Sequence, residues 1–325
     1  MNHGSFPFID ESFENVALEL FRYQAKNNKI FASWLESLEW NANKIKTTNR
    51  ITQIPFLPVT AFKSNEVITG QFVPEVVYTS SGAINSRHLV SNKEVYLKNA
   101  QISFEKFYGP VKDFAWLCLL PDYLERKGSS LIDMADHFIS LSQYEESGFF
   151  LKGIDELKYR LDKLELNGIP TILLGVSFAL LDLTESLKTP MNLNHTIIME
   201  TGGMKGRRKE LIRKDIHNKL CSFFGVKTIH SEYGMTELLS QAYSFGDGIL
   251  SPPPQMRVLP RSIDAPLSYS EINKISGLNI LDLANADSCA FIATDDVGKV
   301  FKNGSFEVLG RSEESDQRGC SLLLI

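Results

Sequence analysis

Ser231-Glu232-Tyr233-Gly234-Met235-Thr236-Glu237 is the stretch on which the fold and function of this chain turn. It directly follows Lys227 to His230, which reads as a buried strand. An aromatic ring, a glycine, a hydroxyl and a carboxylate are thereby delivered to one sheet edge. Glycine lets a backbone approach a ligand closely, and the hydroxyl and carboxylate add polar groups beside it. The same residues also fit a plain strand-to-helix turn, with Glu237 near the next helix N-terminus, where the dipole favours a negative charge. Both readings stand at this level.

Upstream, strands and helices alternate. Two amphipathic helices are predicted near the N-terminus, one carrying Phe13, Ala17 and Phe21, the other Ile30, Phe31 and Trp34. Ile54 to Val59 holds two prolines and must run extended. Glu75 to Tyr78 reads as a strand entering the loop Thr79-Ser80-Ser81-Gly82-Ala83. Phe114 to Leu120 is an unbroken apolar run, as expected of a strand buried on both faces. A helix that Ser130 can cap follows, then the strands Thr171 to Leu174 and Thr196 to Met199, and a basic helix from Arg207 to Phe223. This rhythm predicts an α/β fold with a largely parallel sheet and loops gathered at its carboxyl edge.

After about Gly246 the texture changes to prolines and short strands. Asn303-Gly304, between two apolar runs, predicts a type I′ hairpin turn. The expectation is one domain over 1–325, with an α/β sub-lobe at 1–245 and a β-rich sub-lobe at 246–325. At roughly 150 residues per domain, 325 residues permit that.

Composition narrows the function classes. A net charge of −5 argues against a protein devoted to nucleic-acid phosphates. No apolar stretch approaches the ~20 residues that span a bilayer, so no integral membrane segment is expected. Cys118, Cys221, Cys289 and Cys320 are far apart with no C-x-x-C pair, which disfavours a disulfide framework or cysteine zinc site and predicts a reducing cytoplasm.

Two further segments carry candidate chemistry. Thr79, Ser80, Ser81 and Gly82 offer hydroxyls and backbone N–H groups that can hold phosphate oxygens, or form an ordinary turn. A Walker A loop is excluded, since no G-x-x-x-x-G-K-[ST] occurs. Thr294-Asp295-Asp296, at the end of a short strand, can accept bonds from ribose hydroxyls, with Arg311 facing phosphate, or can be a solvated β-turn.

In this order, the segments resemble the adenylate-forming superfamily of acyl-CoA synthetases and firefly luciferase. Thr79 to Gly82 is similar to its phosphate loop, without the usual following lysine, and Tyr233 to Glu237 matches its Y-G-x-T-E. Gly202-Gly203 resembles the turn before its adenine site. The resemblance implies ATP and Mg²⁺ as cofactors. It implies that Tyr233 and Gly234 lie at adenine, Thr236 contacts the α-phosphate, Glu237 places the metal, Asp296 holds the ribose and Arg311 stands near the hinge.

Within the superfamily, the chain looks most like the acyl-protein synthetases, the long-chain-fatty-acid–luciferin-component ligases. That likeness rests on Ile54 to Lys63, Thr201-Gly202-Gly203-Met204-Lys205 and the tail from Gly310-Arg311 to Leu322. It implies a fatty acid substrate and an acyl-CoA reductase or acyl-carrier partner. It also implies an acyl thioester on Cys320, whose thiol Arg318 would make more acidic if the tail is exposed. Against that, Cys320 can be a packed residue of a last strand. The superfamily's mobile C-terminal domain, with its catalytic lysine, is expected to be absent. Three rivals stand beside this reading: an acyl-CoA ligase-like enzyme, a noncatalytic nucleotide- or acyl-binding subunit, and an α/β-hydrolase. The last rests on Gly175-Val176-Ser177-Phe178-Ala179 as a nucleophile elbow, with Ser177 attacking.

Overall fold

Ala115–Leu119 and Thr171–Val176 expose no residue to water, the burial expected of strands covered on both faces. They sit inside a six-stranded sheet in the order Gly148–Phe149, Ala115–Leu119, Thr171–Val176, Thr196–Thr201, His230–Tyr233, Ala242–Ser244. The first five strands run parallel and the last is antiparallel. In this computed structural model the described residues are 6–80, 85–120, 128–150, 153–202 and 213–312. They divide into two compact units, one of residues 1–99, 235–240 and 251–325, the other of 100–234 and 241–250.

The second unit holds the parallel sheet. Helix Ser130–Leu141 buries Met134 and Phe138, and helix Ile154–Leu166 buries Leu157, Leu161 and Leu164, both at helical spacing, while Ser177–Leu187 buries Leu180 and Leu183. Ser129, not Ser130, is the N-cap residue of the first of them, its carbonyl accepting the Asp133 N–H at 3.1 Å. Phe104 anchors an aromatic cluster with Trp116, Phe138 and Tyr243, with ring centroids 4.9 to 5.8 Å apart.

The first unit is built on a five-stranded sheet. Met256–Arg261, Ser276–Asp282, Phe291–Val300 and Phe306–Arg311 are antiparallel neighbours, and the Pro-flanked Leu57–Pro58 pairs parallel with Ile292 and Ala293. Helices Glu11–Asn27 and Lys29–Ser37 place Phe21 and Phe31 against Phe291. The buried Gln24 amide donates to the carbonyls of Asn285 and Ala286 at 2.8 and 3.0 Å and accepts from Ala290 N–H at 3.0 Å. Asn28 caps the second helix with its oxygen and donates from its nitrogen to Ser288 O at 2.9 Å. Two polar side chains thus tie the N-terminal helices to a loop some 260 residues downstream.

The six-stranded sheet is largely parallel, as expected, with one antiparallel edge strand, and the five-stranded sheet is mainly antiparallel. Three other expectations are corrected. The strand expected to end at His230 begins there, so Ser231, Glu232 and Tyr233 lie inside it. Asp295 and Asp296 are likewise inside the ten-residue strand Phe291–Val300, and no β-turn forms there. The Asn303-Gly304 turn is not type I′, which needs positive φ at both residues; only Gly304 has it, at 84°. The Asn303 side chain instead accepts from Ser305 N–H at 3.1 Å, making a wider loop in which Phe301 N–H donates to Ser305 O. Among the described residues no helix is long and apolar enough to cross a membrane.

Gly298 has no alternative in this sheet. The register shifts between Val297 and Gly298, and a Cβ at Gly298 would lie 1.9 Å from the Glu307 carbonyl oxygen. At Gly310, on the facing strand, a Cβ meets nothing within 4 Å. Gly298→Ala should therefore cost about 1–3 kcal/mol by overpacking, while Gly310→Ala stays within about 0.5 kcal/mol. Thermal unfolding of both variants checks this; equal melting temperatures would contradict it.

Candidate functional site

Residues of the three sequence-identified segments meet inside the first unit. Val76–Thr79 pairs antiparallel with Arg87–Val90, placing Thr79 opposite Arg87 and Tyr78 opposite His88. The mouth of this hairpin is closed by two bonds, Ser80 N–H to Ser86 O at 3.1 Å and Ser86 N–H to Ser80 Oγ at 2.8 Å. Ser81 and Gly82 lie outside the described residues.

The returning strand then alternates in the period-two manner, with Ser86 and His88 buried and Arg87 exposed between them. Ser86 donates its hydroxyl to the Glu237 carboxylate. His88 Nδ1 lies 2.8 Å from the Thr236 carbonyl oxygen. A carbonyl only accepts, so the proton is on Nδ1. Burial drives the His88 pKa down to about 4, and its ring meets Phe62 edge-on at 5.9 Å.

Glu237 is 4% exposed. Burial raises its pKa; the Ser86 bond and the charge of Arg311 oppose that, and the charge of Asp296 adds to it. Asp296 is paired with Arg311, Nε to Oδ1 at 3.2 Å. Burial also raises the neighbouring Asp295, against the pull of Lys63 and Arg311. The turn itself is held by side chains. Asn285 Nδ2 donates to Glu237 O at 2.8 Å, and Asp282 Oδ2 accepts from Leu239 N–H and Ser240 N–H, both at 2.9 Å. No helix follows, so Glu237 has no helix N-terminus to stabilise it.

Tyr233 and Gly234 belong to the second unit, and the Gly234–Met235 peptide carries the chain into the first. A Cβ at Gly234 would lie 2.8 Å from Glu232 Oε1, so a larger residue there would have to displace that carboxylate. Glu232 accepts from the Thr201 hydroxyl, and burial together with the charge of Glu200 lifts its pKa to about 7. Burial works against ionised Glu200 too, but His217, Arg213 and Ser177 outweigh it and hold that carboxyl below its usual range. Gly202 turns at φ 66° just past the Thr196–Thr201 strand. Gly203, Lys205, the first six residues of the expected basic helix (207–212) and Cys320 lie outside the described residues. Cys118 and Cys289 are buried with thiol pKa values pushed far up, so both serve packing.

Ser177 is not a nucleophile. It opens a regular helix without the strained backbone of an elbow, and its hydroxyl donates to Glu200 Oε2 at 2.5 Å. His217 also contacts Glu200, so the carboxylate stands between serine and histidine, the reverse of a catalytic triad.

Sequence reasoning missed Ser86, His88, Asn285 and Asp282. The only local signal was Ser86-Arg87-His88, polar residues at alternate positions in a strand that otherwise buries Leu89 and Val90.

No protein-family model and no curated protein matches this sequence. Solved structures do match in shape. A 2-hydroxyisobutyryl-CoA ligase solved with its adenylate and CoA superposes with a TM-score of 0.65 at 10% identity, over 93% of this chain and 69% of that one. MatB from Rhodopseudomonas palustris with bound ATP gives 0.52 at 16% identity, over 72% of this chain. An O-succinylbenzoate coenzyme A synthetase from Bacillus subtilis with AMP gives 0.52 at 15%, over 74%. The chain spans about half the length of the last two, 47% and 50%. It shares its fold with these three solved structures.

The buried neutral His88 makes a pH prediction. Between its unfolded value near 6.5 and its folded value of about 4, only the unfolded chain takes up the proton, so stability falls as pH drops through that window. Relative to His88→Asn, which keeps a donor but does not titrate, wild type should lose up to roughly 1.4 kcal/mol per pH unit. Urea unfolding of both proteins from pH 7 to 4 measures it; a constant difference would refute it.

Proposed function

We propose that this chain activates a carboxylic acid with ATP and passes the acyl group to a thiol. The observation that carries the reading is the meeting, within one unit, of Ser80 and Ser86 at the hairpin mouth with Thr236, Glu237, Asp296 and Arg311. A carboxylate oxygen attacks the α-phosphorus of ATP, the bond to the bridging oxygen breaks, and pyrophosphate leaves with that electron pair. The acyl-adenylate is then attacked by a thiolate at its carbonyl carbon, and AMP departs.

In this reading Thr79, Ser80, Ser81 and Gly82 take phosphate oxygens, Thr236 takes the α-phosphate and Asp296 takes the ribose. Arg311 offsets phosphate charge. Gly202, Gly203, Tyr233 and Gly234 are assigned to adenine on their resemblance in sequence. Glu237 fits a magnesium ion: it is a hard oxygen donor whose burial disfavours an uncompensated charge. Among the described residues no three His, Cys, Asp or Glu side chains group to cage a metal, so such an ion would rely on substrate phosphates and water as well. When bound, magnesium supplies charge neutralisation on those phosphates. Residues 1–325 act as a single adenylation-type domain.

CoA is the favoured acceptor, because the superposable 2-hydroxyisobutyryl-CoA ligase was solved with CoA. The tail from Gly310 to Leu322 favours a second reading, an acyl-protein synthetase that loads a fatty acid on Cys320 for a reductase or carrier partner.

Glu237→Gln should lower acid-dependent pyrophosphate release by about 10²-fold or more at equal Mg²⁺, with an unchanged circular dichroism spectrum. Wild-type release in that variant would remove Glu237 from the site. Binding of ATP by wild type with no release for any acid would instead mark a noncatalytic nucleotide-binding protein.

Cys320→Ser separates the acceptors. With ATP, Mg²⁺, CoA and a radiolabelled acid, both proteins should form acyl-CoA at rates within about threefold, since adenylation uses other residues. Hydroxylamine-labile label on wild type, absent from the variant, would establish the acyl-protein reading in its place.

A further inference from the structure

We infer that Ser86, His88 and Asn285 are positioning residues that hold Thr236 and Glu237 from outside their own segment. The inference rests on the assignment of Thr236 and Glu237 to phosphate and metal. Residues 234–241 form no regular structure, so the carbonyls of Thr236 and Glu237 have no ladder to join. Each accepts a side-chain donor at 2.8 Å, from His88 and from Asn285. Ser86 then fixes the Glu237 carboxylate, and Asp282 takes the N–H groups of Leu239 and Ser240. All four of these side chains are buried.

The origin of the donors gives the arrangement its meaning. Ser86 and His88 share one face of the returning strand of the hairpin, whose outgoing strand ends in Thr79-Ser80. The hairpin mouth is locked by the reciprocal Ser80–Ser86 bonds. Two consecutive contacts therefore register Thr79 and Ser80 against the Thr236-Glu237 turn, so that these polar groups stand in one fixed arrangement before substrate arrives. Such preorganisation lowers a barrier because nothing must reorient as charge develops.

His88→Phe keeps a ring against Phe62 but removes the donor. His88→Asn keeps a donor near the position of Nδ1. Amide hydrogen exchange over residues 235–240 should quicken about tenfold in His88→Phe and stay near wild type in His88→Asn, as loss of one buried bond implies. In ATP–pyrophosphate exchange, His88→Phe should lose about 10²-fold in kcat with KM for ATP within about threefold, and His88→Asn should recover most of the loss. Unchanged kcat in His88→Phe, or equal damage in His88→Asn, overturns the inference. If His88→Phe does not fold, Ser86→Ala decides: kcat should fall about tenfold at constant KM, and an unchanged kcat overturns the role of the strand. If wild type exchanges no pyrophosphate with any acid, the proposed function fails. The hydrogen-exchange arm then tests the clamp by itself, and unaltered protection in His88→Phe overturns it.

Discussion

A chain segment that leaves a ladder inside a protein must find other partners for its peptide groups, and the Thr236–Ser240 turn meets that constraint largely with side chains, beside one backbone bond from Leu238 N–H to Met235 O. An unpaired buried carbonyl or N–H costs on the order of 1–3 kcal/mol, so several such groups together would rival the net stability of a domain. His88, Asn285 and Asp282 remove that cost, and in doing so they determine which residues can occupy three separate stretches of sequence. The hairpin strand must be polar at two alternate positions, and the strand Ser276–Asp282 must end in a carboxylate. The loop after it must supply an amide. Conformational freedom at the turn is exchanged for dependence on distant residues.

The same economy governs the carboxylates. Glu200 and Glu232 stand on neighbouring strands of the parallel sheet, Glu200 opposite Ser231 and Thr201 opposite Glu232. Two negative charges so close in a dry interior would repel strongly. The cluster resolves this by asymmetry: His217, Arg213, Ser231 and Ser177 gather on Glu200, which stays ionised, while Glu232 has one hydroxyl donor and titrates near neutrality. Asp282, with four donors including Ser240 Oγ at 2.6 Å and Ala284 N–H at 3.1 Å, shows the other way to keep a buried acid.

What was legible in the sequence follows from which forces are local. The strands at Ala115–Leu119 and Thr171–Val176 and the helix at Ile154–Leu166 announce themselves, because burial on both faces or on one stripe leaves a periodic trace in residue type. Thr79, Ser80, Thr236, Glu237, Asp296 and Arg311 stood out only through their resemblance to known segments; all six fall in the first unit, whereas Gly202, Tyr233 and Gly234 fall in the second. The boundaries were not legible. His230 reads as the end of a strand because Glu232 and Tyr233 look like loop residues, yet their backbones pair with Thr201 and Ala242 on either side. Asp295 and Asp296 look like a turn for the same reason, and sheet pairing overrides that preference. Asn303-Gly304 misleads because the Asn side chain can bond its own backbone. His88 and Asn285 leave no trace, since a hydrogen bond spanning 148 or 48 residues has no local signature.

The order in which the units draw on the chain bears on how the molecule comes into being. Residues 100–234 and 241–250 form a nearly continuous stretch, so everything the parallel sheet needs has been synthesised once residue 250 is out of the ribosome. The helices Glu11–Asn27 and Lys29–Ser37 are made well before the residues they pack on. Gln24 and Asn28 wait for carbonyls near residues 285–288, and Phe21 and Phe31 wait for Phe291. Until Phe291 emerges those aromatic faces lack part of their cover, the circumstance in which nascent chains engage chaperones or one another. Interrupting synthesis shortly after residue 250 would leave the strands of the parallel sheet complete and Phe21 and Phe31 without Phe291.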